Sequence, residues 1–183
     1  MIVGVTGTNG AGKGALVEYL VENKGFTHYS GRALITEEIK RRGLPIDRSS
    51  MREVANDLRT TLGPAYIAET YYNRAIELGR DAIIESIRAV KEAEFLKKKG
   101  AYLFAVDANR HVRYERIVKR GSSTDTVDFD TWVAQEECEW GNTDVHDMNV
   151  PVVMQMADFA FHNDGTLEEF HSQIDEILKK ITK

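Results

Sequence analysis

Eight residues near the start of the chain have the types and spacing of a phosphate cradle: Gly7-Thr8-Asn9-Gly10-Ala11-Gly12-Lys13-Gly14 fits the pattern G-x-x-x-x-G-K. A phosphate needs several backbone N–H groups converging on it, and glycines let a chain turn that tightly without a Cβ clash. A helix opening at the loop adds its positive dipole end. Lys13 is placed to reach the β- and γ-phosphates of a nucleoside triphosphate. The residue after such a lysine is usually Ser or Thr, whose hydroxyl binds Mg2+. Here it is Gly14, followed by Ala15, so Mg2+ must be held mostly through water and an acidic side chain. Glu85 and Asp107, at the ends of two predicted strands, are the candidates, because ligands of an open parallel sheet gather outside the carboxyl ends of its strands.

The elements that must position these residues follow from hydrophobic spacing. Ile2 to Thr6 reads as a short buried strand leading into the loop. The helix after the loop carries Leu16, Val17, Leu20 and Val21 on one stripe and stops at Gly25. Phe26 to Ser30 is a second strand, and Leu34, Ile35 and Ile39 mark a helix ending at Gly43. Ser50-x-x-Glu53 reads as a capping box for a helix with Met51, Val54, Leu58 and Leu62 at helical spacing. Ile67, Tyr71, Ala75 and Leu78 form the next helix. Asp81 to Glu85 is a third strand, Ala101 to Val106 a fourth and Asp158 to His162 a fifth. The helix between the third and fourth ends in Lys97-Lys98-Lys99-Gly100. Arg110 to Arg120 is a helix stopped by Gly121, Phe129 to Trp140 and Pro151 to Met156 are helical, and Thr166-x-x-Glu169 caps a last helix. Strands alternating with helices give one α/β domain over 1–183, a parallel sheet covered by helices on both faces. Within it, residues about 32–79 form an acceptor-side helical segment and about 121–157 a cover.

Composition narrows the function classes. The chain has 183 residues and a formal net charge of −5, which argues against a generic nucleic-acid-binding surface. No apolar run approaches the ~20 residues that span a bilayer, and Met1 to Val5 is not a signal peptide. The single cysteine, Cys138, fits a reducing compartment and an inert thiol, so a cytoplasmic location is expected. From Gly121 to Leu178 there is no Lys or Arg, so any cationic chemistry comes from earlier residues or the last few. His28, His111, His146, His162 and His171 show no metal-ligand spacing.

Four further segments recur in order along the chain: Asn56-Asp57-Leu58-Arg59, Ile84-Glu85-Ser86-Ile87-Arg88, Arg113-Tyr114-Glu115-Arg116-Ile117-Val118-Lys119-Arg120-Gly121, and Ala157-Asp158-Phe159-Ala160-Phe161-His162-Asn163-Asp164-Gly165. Together with the phosphate loop they resemble the P-loop nucleoside monophosphate kinase superfamily, in particular its dephospho-coenzyme-A-kinase-like and adenylate-kinase-like members. The resemblance implies a three-layer α/β/α fold with a five-stranded parallel sheet and a lid that closes over ATP. It gives Arg116 and Arg120 the ATP-side arginine roles, Arg88 and Arg59 the acceptor's phosphate, and Asn163 a turn near the adenine. Where the family often has an Asp after the second strand, this chain has Gly31-Arg32, which adds Arg32 to the acceptor side. Lids of the group usually carry an arginine and this one has none, so closure draws on Arg116 and Arg120 or on a partner subunit of a homo-oligomer. The implied activity is ATP- and Mg2+-dependent phosphoryl transfer to a nucleoside monophosphate. Dephospho-coenzyme A as acceptor, and a nucleotide-gated switch with weak ATPase activity, stay open as alternatives.

Overall fold

The computed structural model describes residues 1–121, 127–138, 140 and 147–182. The strands are β1 (Ile2–Gly7), β2 (Thr27–Ser30), β3 (Ala82–Glu85), β4 (Tyr102–Asp107) and β5 (Phe159–His162). They form one sheet in the order β2-β3-β1-β4-β5, and each neighbouring pair is parallel. The register pairs Val5 with Glu85 and Gly7 with Val106, so β1, β3 and β4 all end along one edge of the sheet. That edge carries Glu85, the phosphate loop and Asp107.

A parallel sheet has both faces covered, so its central strands can be apolar throughout. Val3, Val5, Ile83, Ile84, Leu103, Phe104 and Val106 are completely buried. On one face, α1 (Lys13–Lys24) and α9 (Leu167–Ile181) pack Leu16, Leu20, Phe170 and Ile174 against Val3, Val5, Phe104 and Phe161. On the other lie α2 (Gly31–Arg41), α3 (Arg48–Leu62), α4 (Tyr66–Leu78) and α5 (Val90–Lys98). They bring Ile39, Val54, Leu58, Ile67 and Leu96 against Ile84 and Leu103. Thr166 and Glu169 make the expected reciprocal cap of α9.

Two local expectations need correction. The helix expected to be capped at Ser50 begins earlier: Asp47 is its cap and accepts from the Ser50 N–H, which leaves Ser50 buried in the first turn. A carboxylate accepts that bond at least as well as a hydroxyl. The cover also ends sooner than expected. The helix α8 (Val150–Gln155) packs on β1 and α5, with Val153 completely buried beside Leu96 and Leu103. Apolar periodicity there served the core. Helix α6 (Arg110–Arg120) stops at Gly121 as expected, and α7 (Phe129–Cys138) folds back on it through Tyr114, Phe129 and the buried Trp132. Residues 122–126, 139 and 141–146, including His146, and the Cys138 side chain lie outside the described residues. No helix of the described residues is long and apolar enough to cross a membrane.

One buried ion pair ties the acceptor-side helices to the sheet edge. Arg59 on α3 donates through Nε to Glu92 of α5 at 3.0 Å, and both side chains are almost wholly buried. The other oxygen of Glu92 accepts from the N–H groups of Arg88 and Ala89. Removing one partner of such a pair leaves a buried charge uncompensated, which costs about 3–5 kcal/mol. Glu92→Ala should therefore lower the unfolding free energy by that amount in urea titrations; a loss below ~1 kcal/mol would show that the pair does not hold α3 and α5 together.

Candidate nucleotide-binding site

The loop between β1 and α1 turns through left-handed glycines, Gly10 at φ 79° and Gly12 at φ 101°. A side chain at Gly12 would collide with the Asn163 amide, and one at Gly10 with the Arg113 carbonyl. Three contacts pin the loop from behind. Thr8 Oγ1 donates to Asp107 Oδ1 at 2.6 Å, Asn163 Nδ2 donates to the Ala11 carbonyl at 2.9 Å, and Arg113 Nη1 donates to the Asn9 carbonyl at 3.1 Å. The loop is thus fixed in shape before any ligand arrives.

In front of the loop lies a cavity of about 470 Å³. Asn9, Gly10, Gly12, Lys13, Gly14 and Ala15 line it, whereas Gly7, Thr8 and Ala11 sit behind these residues and shape the turn. Asn163, expected near the adenine, does not line the cavity: it is buried and braces the loop. The expected acceptor-side Arg32, Arg59 and Arg88 and the expected ATP-side Arg116 and Arg120 all line it. Arg59 does so while paired with Glu92. Nη1 of Arg116 is buried without a hydrogen-bond partner among the described residues.

The two carboxylates expected near the metal part company. Glu85 lines the cavity and accepts from His28 Nε2 at 3.1 Å, and that hydrogen bond holds its carboxyl below the usual range. Asp107 lies beside the cavity, with Oδ1 accepting from both Thr8 and the Ala108 N–H. Among the described residues no three His, Cys, Asp or Glu side chains gather as a metal cage.

Two features were missed by sequence reasoning. Arg48 and Arg52 also line the cavity, with Met51 and Ala55 between them. Their spacing on α3 with Arg59, i, i+4 and i+11, was the available signal, since those positions share one helix face. Arg113, in the same segment as Arg116 and Arg120, is instead buried behind the loop and makes a bidentate pair with Glu136 of α7. It also lies against the Trp132 ring, 5.1 Å from the ring centroid.

This geometry places the chain among known proteins. A family model described as an AAA domain matches residues 3–149. The UPF0200 protein of Aeropyrum pernix is 31% identical over 171 residues, covering 92% of this chain and 87% of that protein. The chain belongs to the UPF0200 family of AAA-domain proteins. The UPF0200 protein of Thermococcus gammatolerans is 29% identical over 192 residues, covering 100% of this chain and 96% of that protein. Among solved structures, this UPF0200 chain is similar to shikimate kinase from Aquifex aeolicus, with a TM-score of 0.54, 17% identity and coverage of 100% and 98% of the two chains. It is similar also to shikimate kinase from Acinetobacter baumannii in complex with shikimate, with a TM-score of 0.61, 12% identity and coverage of 98% and 93%. At these identities the likeness is one of fold: the five-stranded, all-parallel sheet with flanking helices is the P-loop kinase fold.

Lys13 of the UPF0200 chain lies against its own loop. Nζ donates to the Gly7 carbonyl at 3.0 Å and the Thr8 carbonyl at 2.7 Å. Burial, and then the neighbouring Arg88, push its pKa down from 10.5 to about 7. A base with a lowered folded pKa penalises folding fully below about pH 7, and the penalty fades as pH rises toward 10.5, where the unfolded lysine also loses its proton. Lys13→Met should therefore raise the melting temperature of the ligand-free protein at pH 7 by at least ~3 °C, the shift expected from about 1 kcal/mol in a chain this size. The gain should shrink steadily between pH 7 and pH 10 in thermal melts. A gain that is constant or grows with pH would contradict the buried, repelled ammonium.

Proposed function

We propose that the protein transfers the γ-phosphoryl group of ATP to a phosphate oxygen of a nucleoside monophosphate. The carrying observation is the convergence of Lys13 and seven arginines on one cavity floored by a phosphate loop, with Glu85 the one carboxylate among the described lining residues. Phosphoryl transfer asks little covalent chemistry of the protein; it needs two anionic reactants brought together and their charge neutralised. Arginine forks suit phosphate oxygens, and fixed donors in a dry site act without reorganising. Arg116 and Arg120, one helical turn apart on α6, face the triphosphate, and Arg88, next to Lys13, faces the acceptor's phosphate.

A phosphate dianion is already deprotonated and attacks without a general base. The γ-phosphorus gains the acceptor oxygen and loses its bond to the bridging oxygen, which leaves with its electron pair on ADP. A hydroxyl acceptor, such as dephospho-coenzyme A, would have to give up a proton. Glu85 is poorly suited to take one, because His28 stabilises its ionised form. That contrast favours the phosphate acceptor over the hydroxyl one.

Mg2+ fits the donor set through water. Asp107 Oδ2 has no protein partner among the described residues, and Glu85 lies across the loop at the end of β3. Mg2+ keeps several waters when bound by one or two carboxylates, which replaces the hydroxyl missing at Gly14 and Ala15. When bound, it would neutralise charge on the β- and γ-oxygens.

The test is ADP release from Mg-ATP with each nucleoside monophosphate in turn. At least one should stimulate release well above the rate with ATP alone, and Lys13→Ala should reduce that rate by about a hundredfold or more. Arg116→Ala and Arg120→Ala should each lower kcat at least about tenfold, ~1.4 kcal/mol of barrier, with little change in melting temperature. ADP release that ignores every acceptor would refute the kinase assignment and leave a nucleotide-gated switch.

A further inference from the structure

The turn that leaves β3 holds a strained residue. Ser86 has φ 73°, whereas every other positive φ among the described residues belongs to a glycine. A side chain crowds the backbone in that region, and such a conformation persists only where the surroundings fix it. Here both flanks are fixed. Before the turn, Glu85 is paired with Val5 in the register of β3 and β1. After it, the Ile87 N–H donates to the Val5 carbonyl at 3.0 Å, and the Arg88 and Ala89 N–H groups both donate to Oε2 of the buried Glu92 at 3.2 Å. Glycine would adopt the same φ without strain, so the backbone path alone does not call for a serine at this position.

The place of the side chain does. Ser86 lines the cavity in front of the phosphate loop, together with Glu85 before it and Arg88 after it. Glu85 and Arg88 are both close enough to Lys13 to act on its charge, which sets this turn at the reacting centre. On the side of α2 the turn is closely packed: a Cβ built on Gly31 would lie 3.6 Å from the Ser86 Cβ and 3.2 Å from the Glu85 carbonyl oxygen. Ser86 is half-buried, and its hydroxyl makes no hydrogen bond to the described residues. A hydroxyl can donate one such bond and accept two.

The geometry points to Ser86 as an acceptor-binding residue, whose hydroxyl donates to an oxygen of the acceptor's reacting phosphate beside the Arg88 guanidinium. This rests on the phosphoryl-transfer reading above and adds to it a group that orients the phosphate under attack. A phosphate dianion presents only hydrogen-bond acceptors, so the hydroxyl has one way to bind it. A neutral donor also suits a lining already crowded with cations, because it adds a directed bond without adding charge.

The experiment uses the full chain with Mg-ATP and the nucleoside monophosphate that best stimulates ADP release. Ser86→Ala removes the hydroxyl and keeps the strain; Ser86→Gly removes both. Each should raise KM for the acceptor about tenfold, the loss expected for a hydrogen bond to a charged group, and keep KM for ATP within about twofold. The same loss should appear in titration calorimetry of the acceptor, where no turnover is needed. The Ser86→Gly protein should also melt about 2 °C above the Ser86→Ala protein, because strain is relieved only in the first. Weaker acceptor binding joined to a more stable fold is an outcome that a purely structural serine would not give. Acceptor affinity that is unchanged in both variants overturns the inference and leaves the kinase reading standing. A loss confined to one variant also overturns it, as does an equal rise in KM for ATP or a Ser86→Gly protein that melts no higher than Ser86→Ala. If no nucleoside monophosphate stimulates ADP release from the wild-type protein, the kinase reading and this inference fall together.

Discussion

Lys13 and the arginines around it repel one another, and among the described residues Glu85 is the one carboxylate that lines their shared cavity. Cations in partly buried sites attract or repel far more strongly than they would in bulk water. Lys13 answers that repulsion by surrendering part of its proton affinity and by bonding to the Gly7 and Thr8 carbonyls. The rest of the site follows from the same constraint: its lining is strongly positive and is held in place by the scaffold. A polyphosphate would release Lys13 from its own loop, occupy the Arg116 donor that has no partner among the described residues, and remove repulsion that the folded chain tolerates without it.

Acidic residues appear where they hold arginines still rather than where they would fill the cavity. Glu92 fixes Arg59 from behind, and Glu136 fixes Arg113. The second pair connects the phosphate loop to the cover. Arg113 bonds the Asn9 carbonyl on one side and α7 on the other, so the position of α7 is felt at the loop. Across the mouth of the cavity, Arg48 bonds Gln135 and Asn56 bonds Asp147. Residues of α7 and Asp147 therefore contact both the phosphate loop's support and α3. A loop pinned by Thr8, Asn163 and Arg113 needs no reorganisation to receive phosphate, which is how fixed dipoles contribute most to a charged reaction.

Local chemistry was legible in the sequence, and long-range bracing was not. The phosphate loop is contiguous, so its pattern and its place between a strand and a helix could be read directly. β1, β3 and β4 were legible because each is a short apolar run, whereas β2, Thr27-His28-Tyr29-Ser30, was legible mainly from its place between two helices. Arg116 and Arg120 were pointed to by the resemblance, and both line the cavity. The bracing bond of Asn163 was not legible, because its partner Ala11 lies 152 residues away and no local pattern encodes that bond. The bracing role of Arg113 was not legible for the same reason: its buried partners Asn9 and Glu136 come from distant segments. The helix at Val150–Gln155 read as part of a cover because a six-residue apolar stretch does not reveal what it packs against. Arg48 and Arg52 were recoverable from helical spacing, but only with the knowledge of which face of α3 meets the cavity.

The most direct test of the central claim is the structure of the protein bound to a bisubstrate analogue, in which two nucleosides are joined by one polyphosphate chain. The account expects the chain to cross from the amides of Gly10 to Lys13 to the Arg88 guanidinium. Lys13 Nζ should leave the Gly7 and Thr8 carbonyls for phosphate oxygens, and Arg116 Nη1 should gain a phosphate partner. A complex in which the analogue lies outside this cavity, or in which Lys13 keeps both carbonyl bonds with the polyphosphate bound, would contradict it.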